Sequence, residues 1–181
     1  MIRPNAALYQ VICQPLSFVK FYCFQSPLRL GFLCLSIVSI AKIPMWMDDN
    51  MSVMSAFLTV FLGYSIILGF QAMATDFFAQ LFHFNGKSLT LFAWLNISLL
   101  PLMIEPALYL ISLNMQLPKL WVSINNLITL IVIFWQIYMI KHIYQSSLRK
   151  SLLLYVLPIL FLALITCFIG LIGASILSMY D

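Results

Sequence analysis

Five long apolar runs separated by short polar stretches make up most of the chain. The first extends from Leu30 to Met47, broken by Lys42 and Pro44; the second, Met51 to Thr75, is free of charge. The third, Leu89 to Leu113, is interrupted by Pro101, Glu105 and Pro106; the fourth is Leu120 to Ile140 and the fifth Leu152 to Met179. A helix crossing a bilayer needs roughly 20 mostly apolar residues, so each run predicts one span. The connections carry turn chemistry: Asp48-Asp49-Asn50, Asn85-Gly86-Lys87, and Asn114 to Pro118. Such short loops make consecutive helices antiparallel neighbours. The expected fold is all-α: a polytopic bundle of five transmembrane helices over residues 30–181, behind an N-terminal segment, 1–29.

Two stretches depart from this pattern. Between Ala6 and Phe24 the chain is too polar to span, with Gln10, Gln14 and Ser17 near one helical face and Pro15 as a kink. It reads as an amphipathic helix lying along the cytoplasmic interface, with a frayed tail as the alternative. After Thr75, Asp76, Gln80 and His83 alternate with Phe77, Phe78, Leu81 and Phe82. This reads as the second helix emerging into the headgroup region, anchored by aromatics.

Composition agrees with lipid as the solvent. Of 181 residues, 64% are hydrophobic and 8% charged, with a mean hydropathy of +1.05; soluble domains run about 45–50% apolar and about 25% charged. The net charge of +4 does not indicate a nucleic-acid partner, because the basic residues are scattered and form no stripe. They are placed as topology requires. Arg3, Lys20, Arg29, Lys87, Lys141, Arg149 and Lys150 all fall on one side of a five-span chain, and only Lys42 and Lys119 on the other. Lys and Arg are retained on the cytoplasmic side, which predicts the N-terminus inside, the C-terminus outside, and a multi-pass protein of the cell inner (plasma) membrane. No cleavable signal peptide is expected, since Arg3 is followed by Gln10, Gln14 and Lys20 with no small-residue cleavage site.

Chemistry-bearing residues are few. Cys13, Cys23, Cys34 and Cys167 form no C-x-x-C pair and read as buried reduced thiols. His83 and His142 have no metal-ligand spacing. Walker A, H-E-x-x-H, G-x-S-x-G and G-x-G-x-x-G motifs are all missing, so no cofactor, metal or catalytic residue is assigned and the chain is read as non-enzymatic. Asn50-Met51-Ser52 and Asn96-Ile97-Ser98 match the glycosylation sequon, the second inside a span where it cannot be reached. Asp76 reads as a solvated boundary charge or a partner for Lys87, without a second carboxylate to share acid–base work.

Glu105 carries the most information. A carboxylate within a span is costly and usually faces the bundle interior or a water-filled cavity. Pro101 and Pro106 remove backbone donors and predict a kinked or broken helix around it, one way in which transporters build ion sites. Lys42, Asn125 and Asn126 lie at similar depth and complete a candidate intramembrane polar site; a Glu105–Lys42 pair would neutralise both charges. Two readings of Glu105 stay open: polar glue in a packed bundle, or a proton, ion or substrate site. Gly170, Ala174 and Ser178 recur every four residues on the fifth span, with Ser65 and Gly69 repeating the pattern on the second. Such small residues allow close helix packing, within the chain or in a homo-oligomer.

Three stretches resemble the Yip1 family of small five-span membrane proteins. Gln14-Pro15-Leu16-Ser17-Phe18 followed by Ser26-Pro27-Leu28-Arg29 is similar to the family's lead-in to its first span. Phe77 to Pro101 is similar to its most recognisable part, where a cytoplasmic helix end meets a Gly-Lys turn, here Gly86-Lys87, and the next span carries a proline, here Pro101. Trp135 to Pro158 is the third stretch, with Lys141-His142, Lys150 and a proline-bearing last span. The resemblance covers most of the chain and implies five-span architecture. The family's eukaryotic members are trafficking proteins that meet Rab-type GTPases through longer N-terminal regions. The 29 residues here contain no acidic, aromatic-rich segment, so the likeness is to the short bacterial form and implies no activity.

The expectation is therefore a membrane component that binds other membrane proteins or lipids, or shapes the bilayer. Its N-terminal segment and cytoplasmic basic residues would meet anionic headgroups. The alternative is a small transporter or channel component that uses Glu105.

Overall fold

In the computed structural model the described residues are Ser17, Val19, 27–47 and 51–177; the side chains at 118, 120 and 169–177 are outside the description. Among these residues the elements are helices: α1 Leu28–Trp46, α2 Val53–Leu81, α3 Ser88–Ser98, a 3-10 segment Leu100–Ile104, α4 Glu105–Asn114, α5 Pro118–Ile143 and α6 Leu148–Leu177. With α3, the 3-10 segment and α4 counted as one, they form five helices long and apolar enough to cross a membrane. Of the N-terminal segment only Ser17 and Val19 are described, both helical, with Val19 buried in the core; the expected interfacial helix otherwise lies outside the described residues.

Local sequence explains most of the ends. Ser52 caps α2, its Oγ accepting from the Ser55 N–H at 3.2 Å, which satisfies one of the orphan donors of a helix start. Pro118 stands at the start of α5, where its missing N–H costs nothing. Pro101 and Pro106 bracket the break in the third span: Pro101 opens the 3-10 segment and Pro106 the first turn of α4. Pro44 and Pro158 lie within helices that continue through them, so Lys42 and Pro44 do not break the first span.

Three helices end alike. Beyond α2, α4 and α5 the chain passes through a left-handed residue: His83 (φ 64°), Gln116 (φ 54°) and Gln145 (φ 50°). After each, an N–H reaches back five residues, from Phe84 to the Ala79 carbonyl, Leu117 to Ser112, and Ser146 to Lys141, all at 3.0 Å. This is the Schellman closure, made here without glycine. Gly86 of the Asn-Gly-Lys turn does not supply the positive φ; it supplies space, as described below.

The third span is the axis of the bundle. α3 packs on α1, α2 and α5, and α4 on α1 and α5, while α6 touches only α2 and α5. In its most apolar stretch 67% of the third span is buried, against 17% for the last. Trp94, Leu91, Leu95 and Ile97 of α3 are fully enclosed. The tightest approach is at Gly31 of α1, where a Cβ would stand 2.7 Å from the Ala93 carbonyl oxygen. Gly31 is what lets α1 lie against α3, the small-residue contact that drives helix association in lipid. Cys34 is buried and free; Cys167 is also free but lies on the outer surface rather than in the interior, and Cys13 and Cys23 lie outside the described residues.

Candidate functional site

The interior polar groups gather at three levels along α2, marked by Tyr64, Gln71 and Asp76. Those positions span about 18 Å of helix.

At the first level Lys42 Nζ of α1 lies 2.5 Å from Glu105 Oε2. Both residues are buried, at 8% and 3% exposure. The Tyr64 ring of α2 stands beside them, its centroid 5.5 Å from the ammonium. Glu105 opens α4 directly after the 3-10 segment, where a carboxylate also meets the positive end of the helix dipole. The broken span thus delivers its carboxylate to a lysine one helix away, and the pair ties the first span to the third. Asn125 and Asn126 do not join it: Asn126 is exposed on the outer face of α5, Asn125 is half-buried, and the carboxylate is taken by Lys42. The phase of α5 turns Asn126 outward.

The middle level joins Gln71, Gln136 and Tyr155. Gln71 Nε2 approaches Gln136 Oε1 at 3.5 Å, and Gln71 and Tyr155 line the same groove. Gln136 is buried. This set brings side chains of α2, α5 and α6 to one level.

At the third level Asp76 is buried, 5% exposed, which corrects the expectation of a solvated boundary charge. Oδ1 accepts from the Lys87 backbone N–H at 2.7 Å and the Tyr144 hydroxyl at 2.5 Å, and Oδ2 accepts from Gln80 Nε2 at 3.0 Å. Lys87 does meet Asp76, but through its backbone, while its ammonium donates to the Ile143 carbonyl at 2.9 Å. A Cβ on Gly86 would lie 2.8 Å from Gln80 Nε2 and 3.2 Å from Asp76 Oδ2, so glycine there lets the turn close over the carboxylate. Burial, and then the Asp76 carboxylate beside it, push the Tyr144 phenol well above its ordinary range. One carboxylate thereby fastens both turns at this end of the bundle.

Among the described residues Ser65 Oγ, Thr75 Oγ1, Trp135 Nε1 and both amide atoms of Asn96 are buried without a hydrogen-bond partner, and Asn96 leaves the most unsatisfied. It is fully enclosed in α3, and neither side-chain amide atom has a hydrogen-bond partner. Buried polar groups without partners are rare and costly. Gly170 and Ala174 are helical residues of α6, but their side-chain surroundings, and Ser178 altogether, lie outside the described residues. Among the described residues no three His, Cys, Asp or Glu side chains gather as a metal set.

No known protein family, no curated protein and no solved structure matches the chain.

Proposed function

We propose that this chain is a non-enzymatic, multi-pass component of the inner (plasma) membrane, of Yip1 type. It acts by binding other membrane proteins or lipids and organising the bilayer around it. The N-terminus is cytoplasmic and the C-terminus outside, an orientation supported by seven basic residues on one side against two on the other. The observation that carries the reading is the Lys42–Glu105 pair. The one carboxylate deep in the broken span is buried and neutralised by its neighbour, as a packing role requires. The three described grooves lie on the outer surface and are lined by neither residue.

The test is crosslinking in the native membrane from the two turns at the basic end, residues 82–87 and 144–147, with identification of what is captured. A reproducible membrane-protein or lipid adduct is expected. Recovery of none, together with robust substrate or proton flux in reconstituted vesicles, overturns the reading.

One observation favours a small transporter or channel component instead. Asn96 places two unpaired amide atoms in the central span, just before its break. Flux that disappears in folded Glu105→Gln or Asn96→Leu protein would establish that alternative; absence of flux in the unaltered protein removes it.

A further inference from the structure

The end of the bundle that carries the turns at 82–87 and 144–147 has no anion available to balance its cations. Arg3, Lys20, Arg29, Lys87, Lys141, Arg149 and Lys150 all belong to it by the five-span count, while Asp48, Asp49, Glu105 and Asp181 fall toward the other end. Its single acid, Asp76, is buried and already holds three donors. The charge imbalance has a definite place to act. Two grooves meet at Arg149 and Leu153 on the outer face of α6. One, of about 350 Å³, is lined by Arg149, Leu152, Leu153, Val156, Leu157 and Leu160. The other, of about 160 Å³, is lined by Phe82, Arg149, Lys150 and Leu153.

The spacing of the first set, at i, i+3, i+4, i+7, i+8 and i+11, is a single helical stripe. From Arg149 to Leu160 it runs about 16 Å, close to the roughly 15 Å depth of one leaflet's hydrocarbon. Arg149 and Lys150 are exposed at the head of this rail, and the first turn of α6 holds no acidic residue. Arg149 has no ion-pair partner among the described residues, and Lys150 leans over the Phe84 ring at 5.8 Å. A cationic head with two fixed donors above an apolar track one leaflet long is complementary to a single class of molecule.

We propose that this face of α6 binds an anionic phospholipid of the adjacent leaflet, with its phosphate on Arg149 and Lys150 and an acyl chain along Leu153, Leu157 and Leu160. The proposal rests on the membrane-organising reading and names a lipid partner for it. Arg supplies a planar fork suited to phosphate oxygens and Lys a point charge, so the phosphodiester is held by charge and geometry together. A zwitterionic lipid would bring its own ammonium to the same place and lose that advantage.

The test uses the full-length protein in phosphatidylcholine vesicles containing a trace of photoreactive phosphatidylglycerol or photoreactive phosphatidylcholine, with adducts mapped by peptide. Several-fold greater labelling of the 148–160 peptide by the glycerol lipid is expected, competed by unlabelled phosphatidylglycerol and not by phosphatidylcholine. Arg149→Gln with Lys150→Gln should bring the two lipids level at an unchanged melting temperature. Lys119→Gln, at the opposite end, should leave the preference intact. Equal labelling in the unaltered protein overturns the proposal, whether or not the variants fold, and so does a preference that survives the double variant. Efficient Leu153→Cys crosslinks between copies in the native membrane also overturn it, because a second copy then covers the face. The lipid site and the broader reading fail separately: flux with no protein or lipid adduct captured from the turns at 82–87 and 144–147 removes the membrane-organising role and leaves the labelling of 148–160 to stand.

Discussion

Tyr144 donates to Asp76 Oδ1 at 2.5 Å across 68 residues of sequence, joining the end of α5 to α2 at the point where the 82–87 turn also docks. A buried hydrogen bond to a charged acceptor contributes about 1.5–3 kcal/mol, so Tyr144→Phe should lower stability by that order while leaving the helix count intact. The pH dependence follows from the raised phenol. In the unfolded chain Tyr144 ionises near its ordinary value of 10.0, whereas in the fold burial and Asp76 keep it protonated. The bond's contribution is fully present below that value and is lost as pH rises from it toward the folded value. Melting curves in detergent from about pH 8 to 11 should show the advantage of the native protein over Tyr144→Phe narrowing at the alkaline end.

Gly31 and Gly63 make a paired test of close packing. At Gly31 a methyl group would meet backbone atoms of Ala93 at 2.7 and 3.1 Å, and backbone cannot swing aside; at Gly63 nothing lies within 4 Å. Gly31→Ala should destabilise by about 1–3 kcal/mol through overpacking. Gly63→Ala should be neutral or stabilising by up to about 1 kcal/mol, from helix propensity. Thermal denaturation of the two single variants measures the contrast.

The membrane-scale architecture is legible in the sequence because it depends on run length alone. Five runs of sufficient length predict five helices, and five such helices are present among the described residues. The continuation of α2 to Leu81 agrees with the reading of Asp76 to His83 as the emerging end of the second helix; the start of α6 at Leu148 is less legible, because backbone hydrogen bonding does not stop where apolarity does. Lys42 and Glu105 could be brought to one depth by counting residues from a shared end of the bundle. The rotation of α5 that exposes Asn126 cannot be counted in that way. The burial of Asp76 is hidden in the sequence for a different reason. Its burial depends on Tyr144, on the Lys87 backbone and on Gly86 having no side chain. An acid near a helix end gives no local sign of such distant donors, although the glycine–lysine turn eleven residues on was the available clue.

His83, Gln116 and Gln145 hold a backbone conformation that costs an L-residue roughly 1–2 kcal/mol. Glycine relieves that cost and gives back about 0.5–1 kcal/mol in chain entropy. Gln145→Gly and Gln116→Gly should therefore raise stability by a few tenths to about 1 kcal/mol each. Their side chains are exposed, so little else is lost. The two turns are at opposite ends of the bundle, and the double variant should show the sum of the two shifts in melting temperature.

The Lys42–Glu105 pair yields the most discriminating energetic test. Both charges are buried, so removing one leaves the other without compensation. Lys42→Met alone should cost about 3–5 kcal/mol. Glu105→Gln should cost less, because the amide oxygen can still accept from the ammonium, although the lysine charge is then unbalanced. Lys42→Met combined with Glu105→Leu removes both desolvation penalties and should recover most of the loss, ending near the stability of the native pair or above it. A double-mutant cycle of Lys42→Met, Glu105→Leu and the double variant, read by unfolding in detergent, would give a coupling of several kcal/mol if the pair acts as one neutral unit. Near-zero coupling would mean that Glu105 is stabilised by something other than Lys42. The carboxylate would then be available for the ion or substrate chemistry that pairing removes.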